Sequence, residues 1–148
     1  MARDVADLIR ADHRRVEELF DMIQSGSGDR QALVSQVIDE LTAHAAAEEQ
    51  IVYPAIRDMV PNGAEMADKA ASEHAAMRQA MGNLQEENAD PRRYDRALMS
   101  LISEVQEHVP VEENELLPAL KMVVGEDSME QLCSLFEQVK GTIPTGGG

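Results

Sequence analysis

The sequence predicts an all-α chain, an up-down-up-down four-helix bundle with an additional C-terminal helix. Three observations lead there. Apolar residues recur at spacings of three and four in five consecutive segments. No segment alternates with period two. Short stretches rich in Gly, Pro, Asn and Asp separate the segments.

The first segment carries Val5, Leu8, Ile9, Val16, Leu19, Phe20 and Ile23, and the break Ser25-Gly26-Ser27-Gly28-Asp29 follows it. The second carries Val34, Val37, Leu41, Ile51, Val52 and Ala55, up to Pro61-Asn62-Gly63. Met66, Ala70, Met77, Met81 and Leu84 mark the third, and Asn88-Ala89-Asp90-Pro91 ends it. The fourth carries Leu98, Leu101, Val105, Leu116 and Ala119, up to Gly125-Glu126-Asp127. Each apolar stripe covers one helix face, and short connections make neighbours antiparallel. The fifth segment, about 128–140 by its periodicity, carries Met129, Leu132, Cys133, Phe136 and Val139. Ser128 and Gln131 have the spacing of a capping box. The expected organisation is a bundle over 1–124, an appended amphipathic helix over 125–141 and a loose tail over 142–148. The appended helix packs on the bundle or on a second copy of the chain, which makes a homo-oligomer one expectation.

A length of 148 residues suits one domain with its own core, and a hydrophobic content of 43% marks a globular chain. Aromatic residues make up only 3% and there are nine Met, a composition that favours helices over sheets. The formal net charge of −15 repels phosphate backbones and anionic lipid, so neither nucleic acid nor a membrane is an expected partner. With a single cysteine, Cys133, no intramolecular disulfide forms, and its place on a stripe reads as a small buried apolar residue. The N-terminal residues lack the apolar run of a signal peptide and no stretch reaches transmembrane length, so the expected location is cytoplasmic.

The four histidines fall one on each bundle helix, and each lies on an apolar stripe. His13 sits between Ile9 and Val16, His44 between Leu41 and Glu48, His74 between Ala70 and Met77, and His108 between Val105 and Glu112. Glu48 and Glu112 each follow a histidine by four residues, one turn along the same face, about 6 Å away. The four histidines lie at similar distances from the loops, to within about one turn, or roughly 5 Å of height. Four imidazoles and two carboxylates therefore point into one layer of the core, where buried polar groups need partners. A pair of metal ions meets that need. Imidazole and carboxylate together suit iron, and two carboxylates can bridge two irons. The expected cofactor is two iron ions with a bridging, solvent-derived oxygen, held by His13, His44, Glu48, His74, His108 and Glu112.

The chain also repeats. The run from His44 to Ile56 aligns without gaps on the run from His108 to Leu120, matching the His, both Glu, the Pro and the Ala after it. Asp12-His13 is echoed by Glu73-His74. The pattern His13, His44-x-x-x-Glu48, His74, His108-x-x-x-Glu112 resembles the hemerythrin-like, or HHE cation-binding, domain family over roughly residues 4–123. In outline it looks most like the stand-alone mycobacterial members. The resemblance implies a non-haem di-iron centre in a four-helix bundle. Oxygen-carrying hemerythrins have a second His one turn after the third-helix His, where this chain has Arg78, and they end on His-x-x-x-x-Asp. The five-histidine oxygen-binding set is thus incomplete.

Several residues near the site have more than one reading. Glu49 and Glu113 are rotated about 100° from the ligand Glu, which suits solvated or salt-bridged roles, with support of a ligand from behind as the alternative. One reading of Asp12 and Glu73 is that each orients a histidine on a neighbouring helix. Tyr53 lies about 14 Å from His44 along an ideal helix, which favours packing, with a phenolate ligand as the alternative. Arg78 either snorkels to solvent or stabilises an anion at the centre. Met77 and Met81 read as packing. The function expected is catalase-like decomposition of hydrogen peroxide, an oxidative-stress activity with the di-iron centre as its catalytic group. Reversible binding or sensing of O2 or NO, and iron sensing, are the alternatives.

Overall fold

The computed structural model describes residues 3–86 and 90–143. Helix α1 (Val5–Ser25) starts where the Asp4 carboxylate accepts from the Asp7 N–H, and it ends on Gly26 at φ 77°. Asp29 caps α2 (Arg30–Ala47) by accepting from the N–H groups of Gln31 and Ala32. These caps meet the donors that a helix start leaves without partners. Next come a wide π turn (Glu48–Val52) and α3 (Tyr53–Met59), which continue the same rod. α4 (Gly63–Leu84) returns along it. Asp90 caps α5 (Pro91–Val111) through the Arg93 N–H, a second π turn follows (Glu112–Leu116), and α6 (Leu117–Thr142) is the last helix among the described residues. The expected Asn88-Ala89 break and the tail from residue 144 onward lie outside the described residues.

Two junctions depend on glycine. Between α3 and α4 a Cβ on Gly63 would stand 1.8 Å from the Ile56 carbonyl oxygen, so only glycine lets these backbones approach. At Gly125 the backbone turns to φ 81°, ψ 173° inside α6. The fourth rod ends there, and the appended helix starts with no loop between them. Ser128 thus lies within the helix rather than capping it, which corrects the capping-box expectation. Lys121, before the turn, bonds Asp4 at the start of α1. Lys140, near the end of α6, bonds Asp12 two turns further along α1. The appended helix therefore folds back along the bundle.

The apolar stripes bury as two separate clusters. One holds Val16, Phe20, Val37, Met81, Leu101 and Val105 among others. The other holds Val5, Ile9, Val52, Ile56, Leu117, Met129 and Phe136 among others. The four histidines, Glu48 and Glu112 occupy the layer between them. No helix among the described residues is long and apolar enough to cross a membrane.

Candidate metal centre

Each of the four rods delivers one imidazole to this layer. The histidines are 2–6% exposed, and Glu48 and Glu112 are wholly buried. The π turns set the phase here. The Tyr53 N–H reaches back five residues to the Glu48 carbonyl, and the Leu117 N–H does the same to Glu112. One residue later stands a proline, Pro54 or Pro118, which has no N–H to give to the α-helical ladder. The wider turn carries residue i+5 over residue i, so Tyr53 lies above Glu48 on the inner face.

Two overlapping groups of donor atoms result, each lying within 4.8 Å of one another: His13, His44, Glu48 and Glu112, and then Glu48, His74 and His108. Glu48 Oε1 is 3.2 Å from both His44 Nε2 and His74 Nε2. Glu112 Oε1 is 3.0 Å from His13 Nε2, and its Oε2 is 3.3 Å from His108 Nε2. Each carboxylate thereby spans both histidine pairs. His44 Nε2, both oxygens of Glu48 and Glu112 Oε1 are buried with no hydrogen-bond partner. Orphaned acceptors facing one another in a sealed core are costly, and cations between them remove the cost. Six nitrogen- and oxygen-donor residues in two groups that share Glu48 fit a pair of transition-metal ions.

The outer nitrogens of the imidazoles are held by a closed ring of carboxylates. Asp12 on α1 accepts from His44 Nδ1 of α2 at 2.8 Å. Glu49, just after α2, accepts from His74 Nδ1 of α4 at 2.8 Å. Glu73 on α4 accepts from His108 Nδ1 of α5 at 2.8 Å, and Glu113, just after α5, accepts from His13 Nδ1 of α1 at 2.6 Å. Each rod thus orients the histidine of the next, and each ring presents its Nε2 inward. The expectation for Asp12 and Glu73 holds. For Glu49 and Glu113 both readings hold at once, since Arg78 and Arg14 pair with them from the solvent side.

Tyr53 differs from the packing role that distance along an ideal helix suggests. Its hydroxyl donates to Glu112 Oε2 at 2.8 Å and stands 3.1 Å from His74 Nε2 and 3.3 Å from His108 Nε2. The π turn and the backward lean of helical side chains shorten the reach. Arg78 is 46% exposed and its guanidinium bonds Glu49 Oε2 at 2.6 Å, which ties it to His74 through Glu49, and the residue also lines a small cavity beside the histidines. Met77 and Met81 are buried against the core and also wall this cavity, about 20 Å³, which opens onto the histidines between Leu41, Val105 and Val109.

The electrostatics favour protons where a metal would sit. Burial pushes the His108 imidazole down, but its bond to Glu112 and the field of Glu48 outweigh this and raise it to about 9. His44 is raised well above its usual range because the Glu48 charge and the Asp12 bond outweigh its burial. Burial pushes the Glu112 carboxyl up, yet hydrogen bonds from its neighbours hold it well below the usual range. Burial, then the charges of Glu48 and Glu112, push the Tyr53 phenol well up, so it keeps its proton and donates. Cys133 is buried away from this layer, and burial with the nearby Glu137 carboxylate raises its thiol to about 11.

Residues 4–120 match the family model described as the hemerythrin HHE cation-binding domain. An uncharacterized hemerythrin-like protein of Schizosaccharomyces pombe is 29% identical over 144 residues, 95% of this chain and 71% of that protein. A protein of Nostoc sp. named DNA nickase is 27% identical over 142 residues, 95% of this chain and 40% of that protein. No solved structure matches the chain at a significant level.

Proposed function

The chain belongs to the hemerythrin HHE cation-binding domain family, and from that premise we propose that it holds two iron ions and decomposes hydrogen peroxide. His13 and His44 would hold one iron, His74 and His108 the other, with Glu48 and Glu112 bridging and Tyr53 as a further ligand beside the second. An iron pair supplies two-electron redox chemistry, so two peroxide molecules give two waters and one O2 without an outside reductant.

The observation that carries the reading is the Tyr53 hydroxyl, 2.8 Å from Glu112 Oε2 and flanked by His74 and His108. Peroxide disproportionation moves protons between oxygens, and this pair holds a proton at the centre. Where oxygen-carrying relatives have a further histidine, this chain has Arg78, and its guanidinium turns outward to Glu49. The ring of carboxylates fixes all four imidazoles, and the two apolar clusters flank the layer on both sides. Adding peroxide to the iron-loaded protein should release O2 well above a metal-depleted sample and a His74→Ala variant. If no O2 appears above these controls, the reading fails.

A second reading rests on the cavity. The apolar part of its wall, Leu41, Met77, Met81, Val105 and Val109, suits a small uncharged diatomic such as O2 or NO, with Arg78 at the same cavity. Reversible uptake of either by the reduced protein, without peroxide turnover, would favour a binding role. Nicking of DNA is not carried over from the Nostoc protein, because a net charge of −15 opposes approach to phosphates.

A further inference from the structure

Three of the four carboxylates that orient the histidines share one oxygen between an imidazole and a cation. Glu113 Oε2 takes His13 Nδ1 and Arg14, and Glu49 Oε2 takes His74 Nδ1 and Arg78. Arg14 and Arg78 belong to the same helices as the histidines they assist. At Asp12 the arrangement is different. Its Oδ2 takes His44 Nδ1 at 2.8 Å and Lys140 Nζ at 2.8 Å, and Lys140 comes from the appended helix. The residues that match Arg14 and Arg78 in spacing from His44 are Ala45 and Glu48, so α2 has no cation of its own to offer there.

The same helix touches His44 a second time. Phe136, wholly buried, sets its ring edge-on against the His44 imidazole with centroids 5.5 Å apart. Lys140 is only 22% exposed and Asp12 13%, so their bond is partly shielded from solvent. His44 is thus bounded by Asp12 on its outer nitrogen and by an aromatic edge, and both restraints depend on where the last helix sits.

We propose that Lys140 is a positioning residue for the metal centre: through Asp12 it fixes the ring of His44, so that the appended helix is a working part of the site. The proposal rests on the two-metal reading above. Lys140 makes no contact with the inward nitrogens. It holds the carboxylate in the one place from which it can accept from Nδ1, which leaves Nε2 free to bind a cation. Loss of such support lowers metal affinity by about 10- to 100-fold. The effect falls on the ion held by His13 and His44, because Glu49 and Glu73 serve the other pair independently.

The test is titration of the full-length, chelator-treated chain with Co(II), read by the ligand-field bands and by competition with a chelator. The wild-type chain takes up two equivalents. In Lys140→Met and Lys140→Gln one equivalent weakens at least about tenfold and its bands shift, while the other is unchanged. Lys140→Arg, which keeps a cation within reach of Asp12, restores both. Lys121→Met removes the other bond from α6 to α1, to Asp4, and behaves as wild type. Circular dichroism checks that each variant remains helical. Wild-type affinity and bands in Lys140→Met and Lys140→Gln overturn the proposal and leave the two-metal reading standing, as does an equal loss in Lys121→Met. A wild-type chain that takes up no Co(II) overturns the two-metal reading itself.

Discussion

Glu48 and Glu49, adjacent in the chain, approach opposite nitrogens of one imidazole: Glu48 Oε1 lies 3.2 Å from His74 Nε2, and Glu49 Oε2 accepts from His74 Nδ1 at 2.8 Å. Glu112 and Glu113 treat His13 in the same way, at 3.0 and 2.6 Å. Consecutive residues can do this because they open a π turn beside the helix that carries the ring. One carboxylate faces the buried layer, and its neighbour passes around the outside of the imidazole. The doubled Glu-Glu of each repeat therefore has two jobs, one at the metal and one behind it.

Glu49→Gln and Glu113→Gln test that division. The amide is close in size to the carboxylate but is a weaker acceptor for Nδ1–H. Each variant is expected to lose about 10- to 100-fold in metal affinity by chelator competition, with helicity unchanged. Loss of the helical signal instead would make these residues structural. Unchanged affinity would assign them to the surface.

Much of this was legible in the sequence. The stripes and the placement of His13, His44, His74 and His108 on inner faces follow from a period of 3.6, which the chain keeps over most of its length, and the breaks after Ser25 and at Pro61 follow from their turn residues. What an ideal period hides is the pair of π turns. After each one the buried face shifts by a residue, so Ile56 is wholly buried while Ile51 is only half-buried. The same shift carries Tyr53 to the centre. A signal was present in Pro54 and Pro118, each six residues after a ligand Glu, since a missing N–H marks where the ladder can change register. Lys140 was beyond reach of such reasoning, because its partner Asp12 is 128 residues away and meets it only through the fold.

Gly63→Ala tests the junction between the two hairpins. The added methyl would meet the Ile56 carbonyl oxygen at 1.8 Å, so backbone must move. The expected loss is about 1–3 kcal/mol, which for a chain of this size lowers Tm by roughly 2–4 °C per kcal/mol. Gly82→Ala is a suitable control, because its methyl would meet nothing within 4 Å. Equal Tm values for the two variants would remove the close approach from the account.

Metal uptake should release protons, with a definite pH dependence. His108 is held at about 9 by its bond to Glu112 and the field of Glu48, against an ordinary 6.5, and His44 is also raised. At pH 7 an entering cation must displace protons from both rings. Calorimetry in buffers of different ionisation enthalpy should detect that release, and the share from His108 should fade as pH rises past about 9. Stability runs the opposite way in chelator-treated protein. A raised folded-state pKa stabilises fully below about 6.5, and that contribution is lost as pH climbs through about 9. The Tm of chelator-treated protein should therefore fall over that window while metal affinity rises. Metal uptake with no proton release at pH 7 would show that the rings are already neutral.

Tyr53→Phe separates a ligand from a hydrogen-bond donor. The hydroxyl stands 3.1 and 3.3 Å from the inward nitrogens of His74 and His108, so a metal held by that pair comes within its reach. Ligation requires loss of the phenol proton, which burial and the charges of Glu48 and Glu112 oppose until a cation offsets them. The iron-loaded, oxidised protein is expected to show a visible phenolate-to-iron charge-transfer band, and Tyr53→Phe is expected to lose it while keeping two irons. The same substitution removes the donor to Glu112 Oε2, so peroxide turnover should drop as well. A spectrum unchanged by the substitution, with turnover still reduced, would assign Tyr53 to proton handling alone. An unchanged spectrum with unchanged turnover would return it to packing, and with it would go the observation on which the peroxide reading rests.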